Sequence, residues 1–207
     1  MNKLKVGILL SYICIASISS AIITPALTNI EVFFSLSHGA LEWVVSIFLL
    51  GYVIGQLIYG PIANRYGRLT ALRVGLIINL IGIVMCICST HFMSYGLLLF
   101  GRLITALGAA AGLSCTFMLL NELLTEKEAK SAMSFAIVSF TLGIGLAVTL
   151  GGIITTYFNW QYSFWILMFH GIIMYLLTYL FTETLQKPIN FSISKVLSGY
   201  KLALTNK

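Results

Sequence analysis

Long uncharged stretches, separated by short charged segments, dominate the chain. Five runs contain no Asp, Glu, Lys or Arg: residues 6–30, 43–64, 74–101, 103–121 and 131–182. A helix of about 20 apolar residues crosses a hydrocarbon core ~30 Å thick. Each of the first four runs fits one crossing, and the fifth fits two crossings with a turn at 158–161. The pattern predicts six spans, at about 6–30, 43–60, 73–90, 95–119, 132–157 and 162–181.

These spans are expected to be helices. Lipid offers no hydrogen-bond partner, so the backbone groups of a spanning segment must be satisfied within it. Strands of a membrane barrel would alternate polar and apolar residues, whereas segments such as Gly75–Cys88 are apolar on all sides. The sequence therefore predicts an all-α polytopic membrane protein.

Positive charges lie on only one side of the predicted spans. With six crossings, both termini and the even-numbered connections share that side, which carries eleven Lys and Arg residues: Lys3, Lys5, Arg65, Arg68, Arg73, Lys127, Lys130, Lys187, Lys195, Lys201 and Lys207. The opposite connections, 31–42, 91–94 and 158–161, carry none. Because cytoplasmic loops are enriched in Lys and Arg, both termini are expected in the cytoplasm. The alternative is a signal peptide ending near Ser19–Ala21, whose cleavage would leave five spans.

The composition excludes several classes of protein. Hydrophobic residues make up 59% of the 207 positions, charged residues make up 9%, and Asp is absent. Soluble domains carry about 25% charged residues, so a soluble enzyme, a nucleic-acid module and a disordered chain are disfavoured. The net charge of +6 follows from the topology and indicates no nucleic-acid partner. No metal-binding, phosphate-binding or nucleophile motif is present, so neither enzyme activity nor a cofactor nor a metal is expected.

Small and polar residues recur at helical spacing in two spans. Ser17, Ser20 and Thr24 share one face of the first span, and Gly143, Ala147 and Gly151 follow one another in steps of four in the fifth. Close helix packing explains the second set, because small residues let backbones approach in lipid. The Ser/Thr stripe has two readings, helix packing or the lining of a polar cavity.

Arg102 is the strongest local anomaly, because it lies within the fourth span. An Arg near the centre of a membrane helix costs about 2.5–3.5 kcal/mol to insert. If the helix starts near Gly96, the side chain can snorkel to the interface. If the helix starts near His91, the cation lies near the midplane, where ionisable groups mark substrate or ion pathways.

The connection Gly60–Leu72 is the second anomaly. Its sequence is Gly-Pro-Ile-Ala-Asn-Arg-Tyr-Gly-Arg-Leu-Thr-Ala-Leu. We expect a tight turn in which Gly60 and Gly67 allow the chain to bend. Arg65 and Arg68 could also serve only as an anchor near anionic headgroups.

Together these motifs resemble the N-terminal half of a major facilitator superfamily transporter of the drug–proton antiporter group. The connection resembles the family loop G-x-L-A-D-R-x-G-R, with Asn64 at the Asp position. Arg102 with Gly108, Ala109 and Ala110 resembles R-x-x-Q-G-x-G-A-A, and Gly151 and Gly152 resemble the end of G-P-x-x-G-G. The likeness covers nearly the whole chain.

The resemblance implies a fold and several residue roles. Residues 1–181 would form a six-helix half-bundle built from two inverted three-helix repeats. Residues 182–207 would form a basic cytoplasmic linker or tail. Arg102, Ser17, Ser20 and Thr24 would line a substrate or proton pathway. The remaining family positions would form a cytoplasmic gate (Gly60, Asn64, Arg65, Gly67 and Arg68) and a helix-packing set (Gly143, Ala147, Gly151 and Gly152).

The expected function is transport across a bacterial plasma membrane, as an efflux-type half carrier for drugs or small amphipathic metabolites. Such carriers place substrate between two six-span halves, so the partners would be lipid, a small-molecule substrate, and a second half or another copy. The alternative is a non-transporting remnant or membrane scaffold. No span carries a central carboxylate, and Ala21 stands where the family would place an Asp.

Overall fold

The computed structural model describes residues 3–185, and every regular element within that range is a helix, with no strand. The helices are α1 Lys3–Ala21, α2 Leu27–Phe34, α3 His38–Tyr66, α4 Arg68–His91, α5 Tyr95–Leu123, α6 Glu126–Tyr157 and α7 Tyr162–Leu177. A 3-10 turn, Thr24–Ala26, joins α1 to α2, and a second, Thr178–Leu180, follows α7. The expected tail falls mostly outside the described residues.

Six helical segments are long and apolar enough to cross a membrane, counting α1 and α2 as one crossing. This confirms the predicted all-α polytopic class. The boundary of the second span differs from the expectation. α3 continues through Pro61 to Tyr66, so Gly60 lies inside a helix and the chain turns at Gly67 alone. Gly67 has φ +109°, a left-handed conformation that favours glycine.

The two ends of the bundle differ in charge. We call the end that holds Gly67, Thr125 and residues 182–185 the basic end. Its described Lys and Arg residues are Lys3, Lys5, Arg65, Arg68, Arg73, Lys127 and Lys130. The connections at the opposite end, 35–37, 92–94 and 158–161, contain no Lys or Arg. The described part of the chain thus keeps the charge asymmetry that the sequence indicates.

α5 lies at the centre of the bundle and touches its neighbours through glycines. A Cβ atom on Gly108 would lie 2.2 Å from the backbone nitrogen of Asn79 in α4. One on Gly112 would lie 2.3 Å from the Tyr12 carbonyl oxygen in α1, and one on Gly55 of α3 would lie 2.8 Å from the Leu107 carbonyl oxygen. These approaches allow backbones to pack closely in lipid.

The helix pairing is consistent with two inverted three-helix repeats. In such repeats the first crossing corresponds to the fourth, the second to the fifth and the third to the sixth. α1 packs along α6, and its counterpart α5 packs along α3. The third and sixth crossings, α4 and α7, also contact each other. α3 and α6, the second and fifth crossings, are the most exposed of the six.

Replacing Gly108 by Val tests the glycine contact. We expect the unfolding temperature of the purified chain to fall, because overpacking a close contact costs about 1–3 kcal/mol or more. The matched control is Gly145→Val, since a Cβ on Gly145 meets nothing within 4 Å. Thermal unfolding in detergent measures both variants, and equal stability would contradict a stabilising role for the close α4–α5 contact at Gly108.

Candidate functional site

The Arg102 side chain is fully buried, at 0% exposure, between three helices. Its Nη1 donates to the Ser19 carbonyl of α1 over 2.6 Å, and its Nε donates to the Val44 carbonyl of α3 over 3.3 Å. The guanidinium carbon lies 4.4 Å from the centre of the Phe48 ring, a cation–π contact. α5 begins at Tyr95, about 10 Å along the helix from Arg102. Arg102 is therefore enclosed by protein and does not snorkel to the interface.

A break in the first crossing supplies part of this pocket. α1 ends at Ala21, and Pro25, which has no N–H, lies in the 3-10 turn that follows. The last four carbonyls of a helix lack intrahelical partners, and Ser19 contributes one of them. Arg102 satisfies that carbonyl, so the break and the buried cation compensate each other.

The Arg102 guanidinium retains unused capacity to bind an anion. Within the described residues its partners are carbonyl dipoles and a ring, with no carboxylate among them, and Nη2 is buried without a hydrogen-bond partner. All six acidic residues of the sequence are Glu, and they lie at helix ends or in connections. A carboxylate or phosphate that reached Nη2 would gain a charge-assisted hydrogen bond.

The Ser/Thr stripe of the first crossing divides between two environments. Ser17 is buried, donates to the Cys14 carbonyl over 3.0 Å and lies against Gly143 of α6. Ser20 is half-buried and Thr24 is exposed. None of the three hydroxyls hydrogen-bonds to Arg102, which contacts the backbone of Ser19 instead.

The small-residue stripe of α6 faces α1. A Cβ on Gly143 would lie 2.3 Å from the Ser17 hydroxyl oxygen, and one on Gly151 would lie 2.2 Å from the Ile22 carbonyl oxygen. Ala147 is buried on the same face. A Cβ on Gly152 would meet nothing within 4 Å, so Gly152 makes no close helix contact.

A second polar site lies at the basic end, where the Glu183 carboxylate binds the first turn of α4. It accepts hydrogen bonds from the backbone N–H groups of Arg68, Leu69 and Thr70 over 2.9, 3.1 and 3.0 Å. Unpaired N–H groups and the helix dipole make a helix N-terminus a binding site for anions. A Cβ on Gly67 would lie 2.2 Å from Glu183 Oε2, so this position needs glycine for space as well as for its φ angle.

Arg68 and Glu122 extend this site to the end of α5. Arg68 Nη2 forms a salt bridge of 2.7 Å with Glu122, and Arg68 Nη1 donates to the Ala63 carbonyl over 3.2 Å. The Thr184 hydroxyl donates to the Glu122 carboxylate. Residues of α4, α5 and the segment after α7 thus surround a cavity of about 660 Å³.

The hydrogen bonds at Glu183 control its ionisation. Burial alone would raise the pKa of Glu183, but backbone N–H groups of Thr70, Leu185, Thr184 and Arg68 outweigh burial and hold the pKa below its ordinary value. Glu183 is therefore charged at neutral pH and across mildly acidic pH.

The other loop residues occupy varied positions. Gly60 lies inside α3, with Met118 of α5 3.9 Å from where its Cβ would be. Asn64 is half-buried. The Arg65 guanidinium lies 5.9 Å from the centre of the Tyr66 ring. The loop pattern thus brings Gly67 and Arg68 to Glu183, while Gly60, Asn64 and Arg65 lie in the preceding helix.

Sequence reasoning missed two polar groups. Glu183 lies just after the last span, in a segment whose other charged residues are all basic. A single acidic residue among basic ones was the feature of the sequence that could have indicated a role for Glu183. Gln56 in α3 accepts a hydrogen bond of 2.8 Å from Ser114 in α5, and its Nε2 is buried without a partner. A lone amide in an apolar span was the signal for Gln56. Among the described residues, no group of three or more His, Cys, Asp or Glu could hold a metal.

Sequence comparison finds relatives of this chain among known proteins. The quinolone resistance protein NorB of Staphylococcus aureus (strain bovine RF122 / ET3-1) is 28% identical over 194 residues, covering 92% of this chain and 40% of the relative. This chain therefore spans well under two thirds of the length of such relatives.

Solved structures share the fold. The proton:xylose symporter XylE, bound to 6-bromo-6-deoxy-D-glucose, superposes with a TM-score of 0.78 at 17% identity, covering 86% of this chain and 44% of that one. A bacterial homologue of the human lysosomal transporter Spinster gives a TM-score of 0.72 at 19% identity, covering 94% and 47%.

A family model settles the relationship, because the model described as Major Facilitator Superfamily matches residues 9–206. Members of this family are carriers and not enzymes, in agreement with the expectation from sequence. The chain belongs to the Major Facilitator Superfamily of membrane transporters, as a multi-pass membrane protein.

Proposed function

We propose that this chain is one half of a secondary carrier that exports drugs or small amphipathic metabolites. The observation that carries the proposal is Arg102, a cation fully buried in a membrane helix with one N–H group unpaired. Such a group is costly to insert and typically marks a substrate or ion pathway. The Staphylococcus aureus relatives are named for quinolone resistance, which makes quinolones the first substrates to test.

The carrier needs an opposite wall, and we assign that wall to a second six-span half. Substrate in this family lies between two bundles that rock against each other. α3 and α6 are the most exposed crossings, and both carry large apolar side chains on their open faces, including Val53, Leu57, Leu142 and Leu146. These apolar faces are suited to packing against the other half. A homodimer is the competing arrangement.

The carrier lies in a bacterial plasma membrane with both termini in the cytoplasm. Seven described Lys and Arg residues at the basic end, against none in the opposite connections, support this orientation through the positive-inside rule. In that orientation the cluster around Gly67, Arg68, Glu122 and Glu183 is a cytoplasmic gate. Its contacts join α4, α5 and the segment after α7, so opening the gate requires breaking them.

Impermeant thiol labelling of intact cells tests the orientation. In a background with the native cysteines replaced by Ser, Met93→Cys should react from outside, because Met93 is exposed between α4 and α5. Glu126→Cys, exposed at the start of α6, should react only after the membrane is permeabilised. The reverse pattern would contradict the proposed orientation.

The Arg102→Met variant tests the carrier role. The chain is produced in efflux-deficient bacteria, alone and together with the C-terminal half of the Staphylococcus aureus relative, and export of a fluorescent quinolone is followed. We expect Arg102→Met to reduce export at least tenfold while stability changes little. Removing the cation relieves an insertion cost of about 2.5–3.5 kcal/mol, which offsets the roughly 1–3 kcal/mol lost with its hydrogen bonds.

Lys130→Met is the matched control for Arg102→Met. Lys130 forms an exposed ion pair with Glu126, and such pairs contribute little, so export should persist. Export by the chain alone would indicate a homodimer. If no combination exports quinolone, or if Arg102→Met exports normally, a non-transporting remnant or scaffold becomes the better account.

Hydrogen exchange at residues 68–70 tests the gate contact. Glu183→Gln should accelerate exchange of these amides at least fivefold, because a neutral amide is a weaker acceptor than a carboxylate. Glu126→Gln is the control. Because the folded-state pKa of Glu183 is lowered, the contact is fully present above the ordinary carboxylate value of about 4.3 and is lost as pH falls through the lowered pKa. After correction for intrinsic rates, protection should be equal at pH 7 and pH 5, and a loss between them would contradict the assignment.

A further inference from the structure

A groove of about 380 Å³ runs along the outside of the bundle between α3 and α4, with α5 as its floor. Its lining is Gly55, Ile58, Tyr59, Ile62, Val74, Ile78, Ile81, Ile104 and Leu107. The rims are open, since Ile58, Val74 and Ile81 are 44%, 42% and 52% exposed. The recesses at the two ends of the bundle are different, because they include charged or polar side chains such as Glu122 and Asn29.

The walls of the groove are stiff. Six of its nine lining residues are Ile or Val, and β-branched side chains in a helix are held in one strongly preferred rotamer. The floor is fixed as well, because Gly55 lies against the backbone of Leu107. The groove therefore keeps its shape when nothing of the protein fills it, and a flexible apolar molecule can enter without rearranging it.

The position of the groove along α4 places it within the hydrocarbon core of the membrane. Val74 lies six residues, or about 9 Å, from the start of α4 at the basic end, and Ile81 lies about 10 Å further along. These positions fall inside the ~30 Å hydrocarbon core, in the half nearer the basic end. An apolar recess at that depth excludes water and is in contact with acyl chains.

The α3 rim of the groove is in line with a cation at the basic end of that helix. Helical spacing continues the α3 rim from Ile58 and Ile62 to Arg65, one turn nearer the basic end. Arg65 is half-buried and lies over the Tyr66 ring. At the other end of the groove the nearest cation in sequence, Arg102, is enclosed and contacts α1 and α3.

We propose that this groove binds an acyl chain of an anionic phospholipid from the leaflet at the basic end, with the lipid phosphate at Arg65. The apolar walls fit the chain, and a guanidinium pairs with phosphate through charge-assisted hydrogen bonds. The site is separate from the Arg102 pocket and from the proposed gate contacts of Glu183, and it does not depend on transport activity.

Photocrosslinking in nanodiscs tests the proposal. The full chain is reconstituted with phosphatidylglycerol or phosphatidylcholine that carries a diazirine in one acyl chain, and labelled peptides are mapped by mass spectrometry. Labelling by phosphatidylglycerol should concentrate on residues 55–62 and 74–81. Ile81→Trp, which fills the groove, should reduce that labelling at least fivefold. Leu146→Trp, on the exposed face of α6, should leave it unchanged.

Arg65→Gln separates the two parts of the site. We expect the preference for phosphatidylglycerol over phosphatidylcholine to fall to about one, while chain labelling in the groove persists. Ile58→Trp, from the opposite rim, repeats the filling test should Ile81→Trp lower the unfolding temperature. Three outcomes would overturn the proposal. They are equal labelling of all lipid-facing helices, unchanged labelling in both Trp variants, and crosslinks between two copies of the chain at these residues.

Discussion

The close contact of α4 with α5 is the interaction on which the rest of the bundle depends. In lipid, apolar side chains gain little by moving from the bilayer into protein, so helices associate through tight packing and hydrogen bonds. A Cβ on Gly82 would lie 2.3 Å from the backbone nitrogen of Thr105, and Asn79 donates to the Thr105 carbonyl over 2.9 Å. α5, held in this way, offers its other faces to α1 and α3. Close packing at the glycines and alanines of α5 thus holds the helices together, as burial of apolar side chains does in a soluble protein.

The Arg102 pocket is a consequence of this arrangement. Because α5 packs against α1 and α3 at once, a side chain on the half of α5 away from the basic end can reach carbonyls of both helices. One of these carbonyls belongs to the end of α1, where the helix stops before Pro25. A continuous first helix would leave Arg102 fewer acceptors, and the cost of its burial would rise. The helix break and the buried cation are therefore parts of one feature.

Much of the fold could be predicted from the sequence, because charge spacing and helix length are governed by the bilayer. The six crossings and the turn at Gly67 follow from such local rules. The depth of Arg102 could not be predicted, since it depends on whether the helix begins near His91 or Gly96, and in the structure it begins at Tyr95. The contact of Glu183 with α4 could not be predicted from the sequence either. It joins residues 115 positions apart, and no periodic pattern links a single Glu to a distant helix N-terminus.

The charge balance at Arg102 constrains how the proposed half carrier would work. The sequence contains no Asp, and its Glu residues lie at helix ends or in connections, so this chain supplies no carboxylate to neutralise the cation inside the membrane. Carbonyl dipoles and the Phe48 ring reduce the cost of burial, yet Nη2 remains unpaired. A neutralising group would have to come from the opposite wall or from the cargo. If it came from the opposite wall, closing the two halves together would form the ion pair, and substrate would compete with that closure. If it came from the cargo, acidic substrates would bind in preference to basic ones, so the charge preference of export distinguishes the two arrangements.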